Sequence, residues 1–320
     1  MIEKHFKNLD EQINIMITKG LKVSDPEYTK KILLRENYFF INGYRHLLLE
    51  STSNEKKFIK GSTFEELYSI FLFDRSFRNI LFKYLLVIEN NIKSIISYQL
   101  SKKYGYREKD YLRSKNFNQD KFKQRQVNDL LKKMNRQIRV NGSQHSATMH
   151  YSENYGYIPL WILVKVLSFG IVSEMYNILK IEDQKAIADI YNVEPNELIT
   201  FLQLLANYRN LCAHEDILYN NRTQKEVTDT VYHKLLNIKK IENEYNQGKN
   251  DLFALIIVMK HMLDYEEFNS MTLELEHVIQ GLNYNIQSIK IEKVLTSMGF
   301  PLNWKELSTI KRSVIKNGKK

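Results

Sequence analysis

The stretch Tyr208-Arg209-Asn210-Leu211-Cys212-Ala213-His214 places three residue types that suit RNA cleavage within six positions. A guanidinium can neutralise a phosphate, a carboxamide can orient it, and an imidazole can move a proton near neutral pH. RNA carries its own nucleophile, the 2′-hydroxyl, so this chemistry needs no metal. We predict that Arg209, Asn210 and His214 are catalytic residues of a metal-independent RNA cleavage that leaves 2′,3′-cyclic phosphate and 5′-hydroxyl ends.

The spacing of this motif is weak evidence by itself. With 12 Arg and 8 His in 320 residues, about one Arg followed by a His after four to six intervening residues is expected by chance. A second such pair, Arg139 and His145, lies in the turn-rich run 140–144 and is interpreted as accidental. The first pair follows helical apolar spacing at Leu198, Phe201, Leu202 and Leu205.

Helix geometry separates the three side chains of the motif. At about 100° per residue, Asn210 and His214 lie about 40° apart, whereas Arg209 and His214 lie about 140° apart. The flexible Arg209 side chain could close this gap, and so could a second copy of the chain, since an isologous dimer brings identical patches together. We predict a homodimer in which two copies of His214 serve as base and acid. The alternative is an Arg-His pair that only braces a helix end.

Supporting roles are predicted for residues outside the motif. Glu89 lies in an apolar helix, where an unpaired carboxylate is costly, and it either holds Arg209 or is simply exposed. Arg78 lies 11 residues earlier on the same stripe. Tyr219 either lines the same groove or packs in the core. Cys212 is expected to be a packing residue rather than a nucleophile.

A basic segment, residues 102–139, is predicted to bind RNA. It holds 13 Lys and Arg against 4 acidic residues, a net charge of +9 out of +10 for the whole chain. Aromatic residues that could stack on bases are interleaved with the cations (Tyr104, Tyr106, Tyr111, Phe117 and Phe122), and the alternative is a solvated helix face with buried rings. The RNA-binding candidates are Lys102, Lys103, Arg107, Arg113, Lys121, Lys123, Arg125, Lys132, Lys133, Arg136 and Arg139.

Composition limits the class of protein. Hydrophobic content of 43% and charged content of 26% are typical of a folded soluble protein. No apolar run approaches the roughly 18 residues that span a bilayer, and the N-terminus is not a signal peptide. One cysteine excludes a disulfide framework and a Cys-rich zinc site. We expect a cytoplasmic protein with no membrane association, no metal and no cofactor.

Apolar spacing of three and four residues predicts an all-α fold. We expect a small helical region over 1–60, a helical domain over 61–240 that contains a basic insertion at 102–157, and a helical C-terminal region over 241–320. The expected helices include 75–103, after a separate element that Ser62 and Glu65 cap, and then 120–139. A loop at 141–157 should follow. Pro159 is expected to open a helix that runs to Leu179. Further helices are expected over 181–191, from Glu194-Pro195, and from Thr223 onward.

These residues resemble a known family. The pattern Arg209-Asn210-x-x-Ala213-His214 resembles the signature of HEPN domains, and the chain is similar to the Abi proteins of the AbiD/AbiF type, which act in bacterial abortive infection against phage. The resemblance covers about residues 9–235. It rests on Lys19-Gly20-Leu21, Asn37-Tyr38, Gly43-Tyr44-Arg45, Phe73-Asp74-Arg75-x-x-Arg78, Ile88-Glu89-x-x-Ile92-Lys93, Pro159-Leu160-Trp161, Leu167-Ser168-Phe169-Gly170 and the motif itself.

The resemblance implies a HEPN-like helical bundle with additional N- and C-terminal helices. It also implies an endoribonuclease toxin of phage defence that works as a homodimer and is controlled by an RNA or protein antitoxin. Arg209, Asn210 and His214 take the catalytic roles by their match to the signature. Ile217 stands where many HEPN proteins have a Tyr, so regulation through that Tyr is not implied. The alternatives are a non-catalytic RNA-binding module that holds a structured small RNA, or an adaptor that senses phage components.

Overall fold

The fold is described by a computed structural model that covers residues 5–50, 56–142 and 144–311. Almost all regular structure in these ranges is α-helical, so the all-α prediction is confirmed. The α-helices there are α1 (Leu9–Thr18), α2 (Pro26–Glu36), α3 (Tyr38–Asn42), α4 (Phe64–Tyr104), α5 (Glu108–Tyr111), α6 (Gln124–Asn141), α7 (Ser146–Tyr155), α8 (Leu160–Val166), α9 (Phe169–Asn177), α10 (Ile181–Tyr191), α11 (Pro195–Ala213), α12 (Val231–Leu235), α13 (Leu252–Met262), α14 (Tyr265–Asn285), α15 (Ile291–Ser297) and α16 (Glu306–Thr309). Two 3-10 helices span Gly43–Leu48 and Ser114–Asn116, and strands β1 (Lys240–Ile241) and β2 (Glu244–Tyr245) form a hairpin.

Helix α4 is the axis of the fold. Its 41 residues extend over about 60 Å at 1.5 Å per residue. A capping box of Thr63 and Glu66 begins it, and Gly105, at φ +94°, ends it. Helices α8, α11 and α14 all pack on α4. Within the described ranges, no helix is both long enough and apolar enough to cross a membrane.

The N-terminal region is joined to the start of α4 through backbone hydrogen bonds. Lys22 N–H donates to Ser62 O at 2.9 Å, and Phe64 N–H donates to Lys22 O at 2.9 Å. These bonds place the turn after α1 next to the first residue of α4. The region that contains α2, α3 and the first 3-10 helix therefore lies against the N-terminal half of α4.

A single cluster of buried side chains runs from Ile13 to Leu307. Helix α13 lies in its centre, with every residue from Leu252 to Met262 buried, as expected of a helix that is apolar on all sides. Helices α4, α11 and α16 pack on α13, and α14 packs on α4. The helices after residue 241 therefore share one core with the helices that carry the motif.

Four of the predicted helix boundaries were wrong. Helix α4 begins at Phe64 rather than at residue 75, so it includes the element that was predicted to precede it. Its capping box is formed by Thr63 and Glu66 rather than by Ser62 and Glu65. Ser62 Oγ instead donates to Ser288 Oγ at 3.2 Å. The predicted helix from Pro159 to Leu179 is two helices, since Pro159 is the N-cap of α8 and Ser168 starts α9 anew. Helix α6 begins at Gln124 rather than near Asp120, and α7 occupies most of the predicted loop 141–157.

The chain after the motif is less helical than predicted. Residues 214–230 contain no helix, and β1 pairs with β2 in register Lys240 with Tyr245 and Ile241 with Glu244. The two turn residues, Glu242 and Asn243, have φ values of +51° and +70°. Positive φ at both positions is the type I′ turn that joins two-residue hairpins. At this turn the chain has Glu242-Asn243 rather than the Asn-Gly dipeptide that usually signals it.

Candidate functional site

The motif lies at the C-terminal end of α11. Pro195 is compatible with the first helical position, and helical hydrogen bonding continues to Ala213. His214 is the C-cap, and its N–H donates to Asn210 O at 3.0 Å. Glu215 then adopts φ +57°, which turns the chain away from the helix axis. The imidazole of His214 is therefore at an exposed helix end rather than inside the bundle.

Arg209 is held by a buried carboxylate on α4. Its Nε donates to Glu89 Oε2 at 2.9 Å, and Lys93 Nζ donates to Glu89 Oε1 at 2.7 Å. The Glu89 side chain is 5% exposed and the Arg209 side chain 28% exposed. The contact anticipated between Glu89 and Arg209 is thus present, and it leaves part of the guanidinium accessible.

The chain that follows the motif is held by a second carboxylate on α4. Asp74 is buried and accepts the Leu218 N–H at 3.0 Å and the Tyr219 N–H at 2.8 Å. Tyr44 Oη and Arg78 Nη1 also donate to it, at 2.7 Å and 3.1 Å. Burial raises the pKa of the Asp74 carboxyl, and these donors oppose that rise.

Arg78 therefore supports this loop rather than the Glu89 contact with which it was grouped. It also donates to Asp216 O at 3.2 Å. Asp74 and Glu89 lie 15 residues apart on α4. Glu89, the later of the two in the chain, contacts Arg209 on α11, whereas Asp74 contacts the loop that follows α11. The two helices are therefore antiparallel, and the motif is fixed to α4 on both sides of His214. Sequence reasoning missed Asp74, although its spacing of four residues from Arg78 is that of a helical ion pair.

His214 lines an open cleft of about 990 Å³. One wall consists of the end of α2, helix α3 and the 3-10 helix Gly43–Leu48, and the other consists of α4 and residues 213–220. Arg209 and Asn210 are not among the residues that line it in the described ranges. Within one chain the cleft thus brings His214 together with N-terminal residues that the sequence did not single out.

Most charged side chains of the cleft neutralise one another. Arg75 forms a bidentate pair with Glu36, at 3.2 and 2.6 Å, and this pair lowers the pKa of the Glu36 carboxyl. Arg78 is paired with Asp74. Arg45 differs from them: its Nη1 donates only to the backbone oxygen of Asn42, at 3.3 Å. In the described part of the chain, its buried Nε has no hydrogen-bond partner.

A second imidazole, that of His46, lines the same cleft as His214. Burial and the neighbouring positive charges of Arg45 and Lys56 lower the pKa of His46. A neutral imidazole accepts protons, so His46 has the protonation state of a general base near neutral pH. It stands far from His214 in the sequence, and no spacing rule connects them.

The remaining candidates of the motif region have different surroundings. Asn210 is exposed. Tyr219 is buried in the core, and its ring centroid lies 5.7 Å from that of Tyr44, so of the two alternatives for this residue the structure shows the core position rather than the groove. Cys212 is buried, and burial raises its pKa to about 12, which agrees with a packing residue.

The basic segment presents one continuous cationic stripe on α6. Arg125, Lys132, Arg136 and Arg139 follow one another at helical spacing, all exposed. Asp129 approaches Arg125 and Lys132 only at 4.0 and 3.9 Å. Of the predicted RNA-binding residues, six have no ion pair in the described ranges: Lys102, Arg107, Lys121, Lys123, Arg136 and Arg139. Val127, Leu130 and Met134 are buried on the opposite side of α6.

Other cations of the segment are already engaged within the chain. Lys103 contacts Asp183 at 2.5 Å, Arg113 contacts Asp110 at 3.1 Å and Lys133 contacts Glu174 at 2.6 Å. Lys123 donates to Asn177 O at 3.0 Å. These contacts reduce the number of cations that are free for phosphates.

The interleaved aromatic residues are mostly not available for stacking. Tyr111 and Phe117 are buried, so the prediction that these two rings stack on bases is wrong. Tyr104 is half-buried and donates to Asp183 Oδ2 at 2.6 Å, and Lys103 Nζ lies 5.1 Å from the centre of its ring. Phe122 and Tyr106 are exposed. Tyr106 belongs to an aromatic cluster that the sequence did not reveal, because its other members lie on α7, on α8 and in the loop between them: Tyr151, Tyr155, Tyr157 and Trp161. Arg107 lies 5.0 Å above the Tyr157 ring.

No group of three or more His, Cys, Asp or Glu side chains in the described ranges is arranged to hold a metal ion.

Comparison with known proteins gives one match. Residues 31–220 match a family model described as Abi-like protein. This range includes the end of α2, the cleft, α4, the basic segment and the motif. No curated protein and no solved structure matches the chain.

Proposed function

Because the chain belongs to the Abi-like protein family, whose membership points to abortive infection as a defence against phage, we propose that it acts by cutting RNA beside His214. The observation that carries this proposal is the position of His214. It is exposed at a helix end, it lines an open cleft, and α4 fixes the chain on both sides of it. If His214 only braced the end of the helix, it would instead be buried and in contact with Arg209.

The proposed reaction is an internal transesterification. A neutral imidazole takes the proton of the RNA 2′-hydroxyl, and the 2′-oxygen forms a bond to the adjacent phosphorus. The bond from phosphorus to the 5′-oxygen breaks, and a protonated imidazole gives that oxygen its proton. A guanidinium stabilises the additional negative charge on the phosphorane. The products are a 2′,3′-cyclic phosphate and a 5′-hydroxyl, and neither water nor metal enters the balance.

Arg209 is proposed to reach the phosphate across a two-fold axis. Within one chain it does not line the cleft of His214, and Glu89 holds it at one Nε–Oε2 contact. Its Nη1 and Nη2 groups take no part in that contact. An isologous dimer could bring them to the partner's His214, with Asn210, exposed one turn before His214, orienting the phosphate.

The cationic stripe of α6 is proposed to hold substrate RNA or a structured regulatory RNA that serves as antitoxin. Arg136 and Arg139 are exposed and have no ion pair in the described residues. Phosphate neutralisation by such side chains is independent of sequence and sensitive to salt.

His214→Ala tests the proposal. Wild-type protein is expected to arrest bacterial growth when expressed, and purified protein to cleave RNA equally well with and without EDTA. His214→Ala should lower the cleavage rate by about 10²–10⁴-fold, the usual contribution of an acid-base group. Cleaved ends should carry a cyclic phosphate that resists ligation until it is removed.

The matched control is His277→Ala, which removes an exposed histidine on α14. It should remain as toxic and as active as the wild type. Equal cleavage by His214→Ala and wild type, or loss of wild-type activity with EDTA, contradicts the proposal.

A non-catalytic RNA-binding module is the second candidate. It is favoured by the Glu89–Arg209 contact, which directs one guanidinium nitrogen away from the cleft. In that case neither wild type nor His214→Ala is toxic, both bind RNA equally, and purified protein carries a defined small RNA that sequencing identifies.

A further inference from the structure

The cleft beside His214 contains an arginine, Arg45, whose guanidinium has no carboxylate partner in the described ranges and donates to the backbone oxygen of Asn42 at 3.3 Å. Among its guanidinium groups, those of Arg75 and Arg78 are matched by Glu36 and Asp74. Arg45 has no carboxylate partner in the described ranges, and its Nε is buried without an acceptor. A buried donor that is left unpaired costs free energy, and such donors occur where a ligand supplies the acceptor. The missing acceptor suits a phosphate oxygen.

Two phenylalanines stand exposed at the opening of the same cleft. Phe39 is 77% exposed and Phe40 56% exposed, with their ring centroids 6.0 Å apart. Asn37 sets this exposure, because it adopts φ +69° between α2 and α3 and its side chain accepts the Phe39 N–H at 2.8 Å. A residue with a strained backbone conformation therefore holds two apolar rings in contact with solvent. Rings beside a cation are the usual surface for stacking nucleobases.

The acidic side chains of the cleft fit a nucleotide better than a simple anion. Glu215 and Asp216 are exposed and line it together with the imidazoles of His46 and His214. A simple anion would be repelled by two free carboxylates. A nucleotide has an anionic phosphate for Arg45 and also hydroxyl and amino donors that carboxylates accept.

We infer that this cleft is a binding site for unpaired RNA, in which Arg45 binds a backbone phosphate while Phe39 and Phe40 stack on a neighbouring base. A volume of about 990 Å³ is at the upper end for small-ligand sites and accommodates more than one nucleotide. Bases in a duplex have their faces covered by their neighbours, so stacking on these rings requires a single strand. The inference deepens the proposed function, since the bound strand would lie next to His214.

The test is binding of a short single-stranded 2′-O-methyl RNA, which cannot be cut because the attacking hydroxyl is blocked. Arg45→Ala is expected to weaken binding, measured by fluorescence anisotropy, about tenfold, and Arg45→Lys less. Phe40→Ala should weaken it several-fold. The same sequence as a duplex should bind wild type less tightly and respond little to Phe40→Ala.

Two matched controls should bind like the wild type. Arg222→Ala removes an exposed arginine that, like Arg45, donates to backbone oxygens. Tyr284→Ala removes an aromatic ring that is 88% exposed on α14. Thermal melting of each variant separates lost binding from lost folding, and Arg45→Lys covers the case in which Arg45→Ala does not fold.

The outcomes distinguish this inference from the proposed function. Weaker binding by Arg45→Ala and Phe40→Ala supports the site even if His214→Ala cleaves normally, which would overturn only the nuclease. Wild-type binding by both variants overturns the site even if His214→Ala is inactive. Unchanged RNA binding with a changed oligomeric state of Phe40→Ala would overturn it in favour of a protein interface.

Discussion

Glu89 is the residue on which the position of Arg209 depends. It accepts from Arg209 and Lys93, one at each carboxylate oxygen, and is almost completely buried. A buried carboxylate with two cationic partners cannot lose its charge without leaving those partners unmatched. We therefore propose that Glu89 positions Arg209 rather than touching RNA.

Glu89→Gln should separate these effects at the residue scale. Breaking a buried ion pair costs about 3–5 kcal/mol, so we expect a clear fall in the free energy of unfolding, measured by denaturant titration. The RNA cleavage rate should fall with it at temperatures where the variant is folded, because Arg209 loses its anchor.

Lys83→Gln is the control for Glu89→Gln. It breaks the Lys83–Glu274 pair, in which the Lys83 side chain is 54% exposed, and exposed pairs contribute about 0–1 kcal/mol. Equal destabilisation by the two substitutions would mean that the Glu89 pair is not effectively buried.

Single residues of the site could be predicted from the sequence only in two cases: where an unpaired charge in an apolar helix would cost free energy, or where the spacing of residue types matched a motif. The carboxylate of Glu89 within an apolar helix and the Arg-to-His motif both did so. Arg45 and His46 did not, because their closeness to His214 arises when the N-terminal region packs on α4. That packing is a long-range property, which no local pattern encodes.

At the scale of elements, α6 is the surface that we propose for RNA binding. Its cationic stripe lies opposite its buried face, so charge reversal there does not disturb the core. Arg136→Glu with Arg139→Glu should weaken RNA binding across all sequences. It should also reduce the slope of log affinity against log salt by about 1 for each lost phosphate contact.

Lys234→Glu with Lys239→Glu, which makes the same change of charge at two exposed positions outside α6, is the control for the α6 substitutions and should leave the salt slope unchanged. Affinity and slope equal to wild type in the α6 variant would remove this helix from the RNA-binding surface.

Some helix bounds were predicted closely and others were not. Helix α10 has its predicted bounds, and α11 begins at the predicted Pro195. The break between α8 and α9 was missed because apolar spacing continues across Ser168, whose capping role depends on local geometry. Helix α7 was missed because its polar composition has no apolar stripe; it is stabilised instead by contacts with α6 and α8.

At the scale of the whole molecule, His233 links stability to pH. It is fully buried; its Nδ1 accepts the Thr230 N–H at 3.1 Å and its Nε2 donates to Gly248 O at 2.8 Å. Burial lowers its pKa below the ordinary 6.5. Below that pH His233 binds a proton in the unfolded chain but stays neutral in the folded chain, so unfolding becomes more favourable as pH falls.

We therefore expect the melting temperature of the wild type to fall between about pH 7 and about pH 5, with His233 responsible for part of the fall. His233→Gln should melt lower than wild type near neutral pH but lose less on acidification. Exposed His277→Gln is the control and should retain the wild-type slope. An unchanged slope in His233→Gln would show that His233 does not contribute to the acid sensitivity.

The burial of Cys212 has a practical consequence. It is the one cysteine of the chain, and its raised pKa leaves almost no thiolate at neutral pH. A second thiol placed at an exposed position, such as Tyr284→Cys, would therefore take a fluorescent dye alone, with no native residue removed first. Energy transfer between differently labelled copies would then measure whether chains associate in solution.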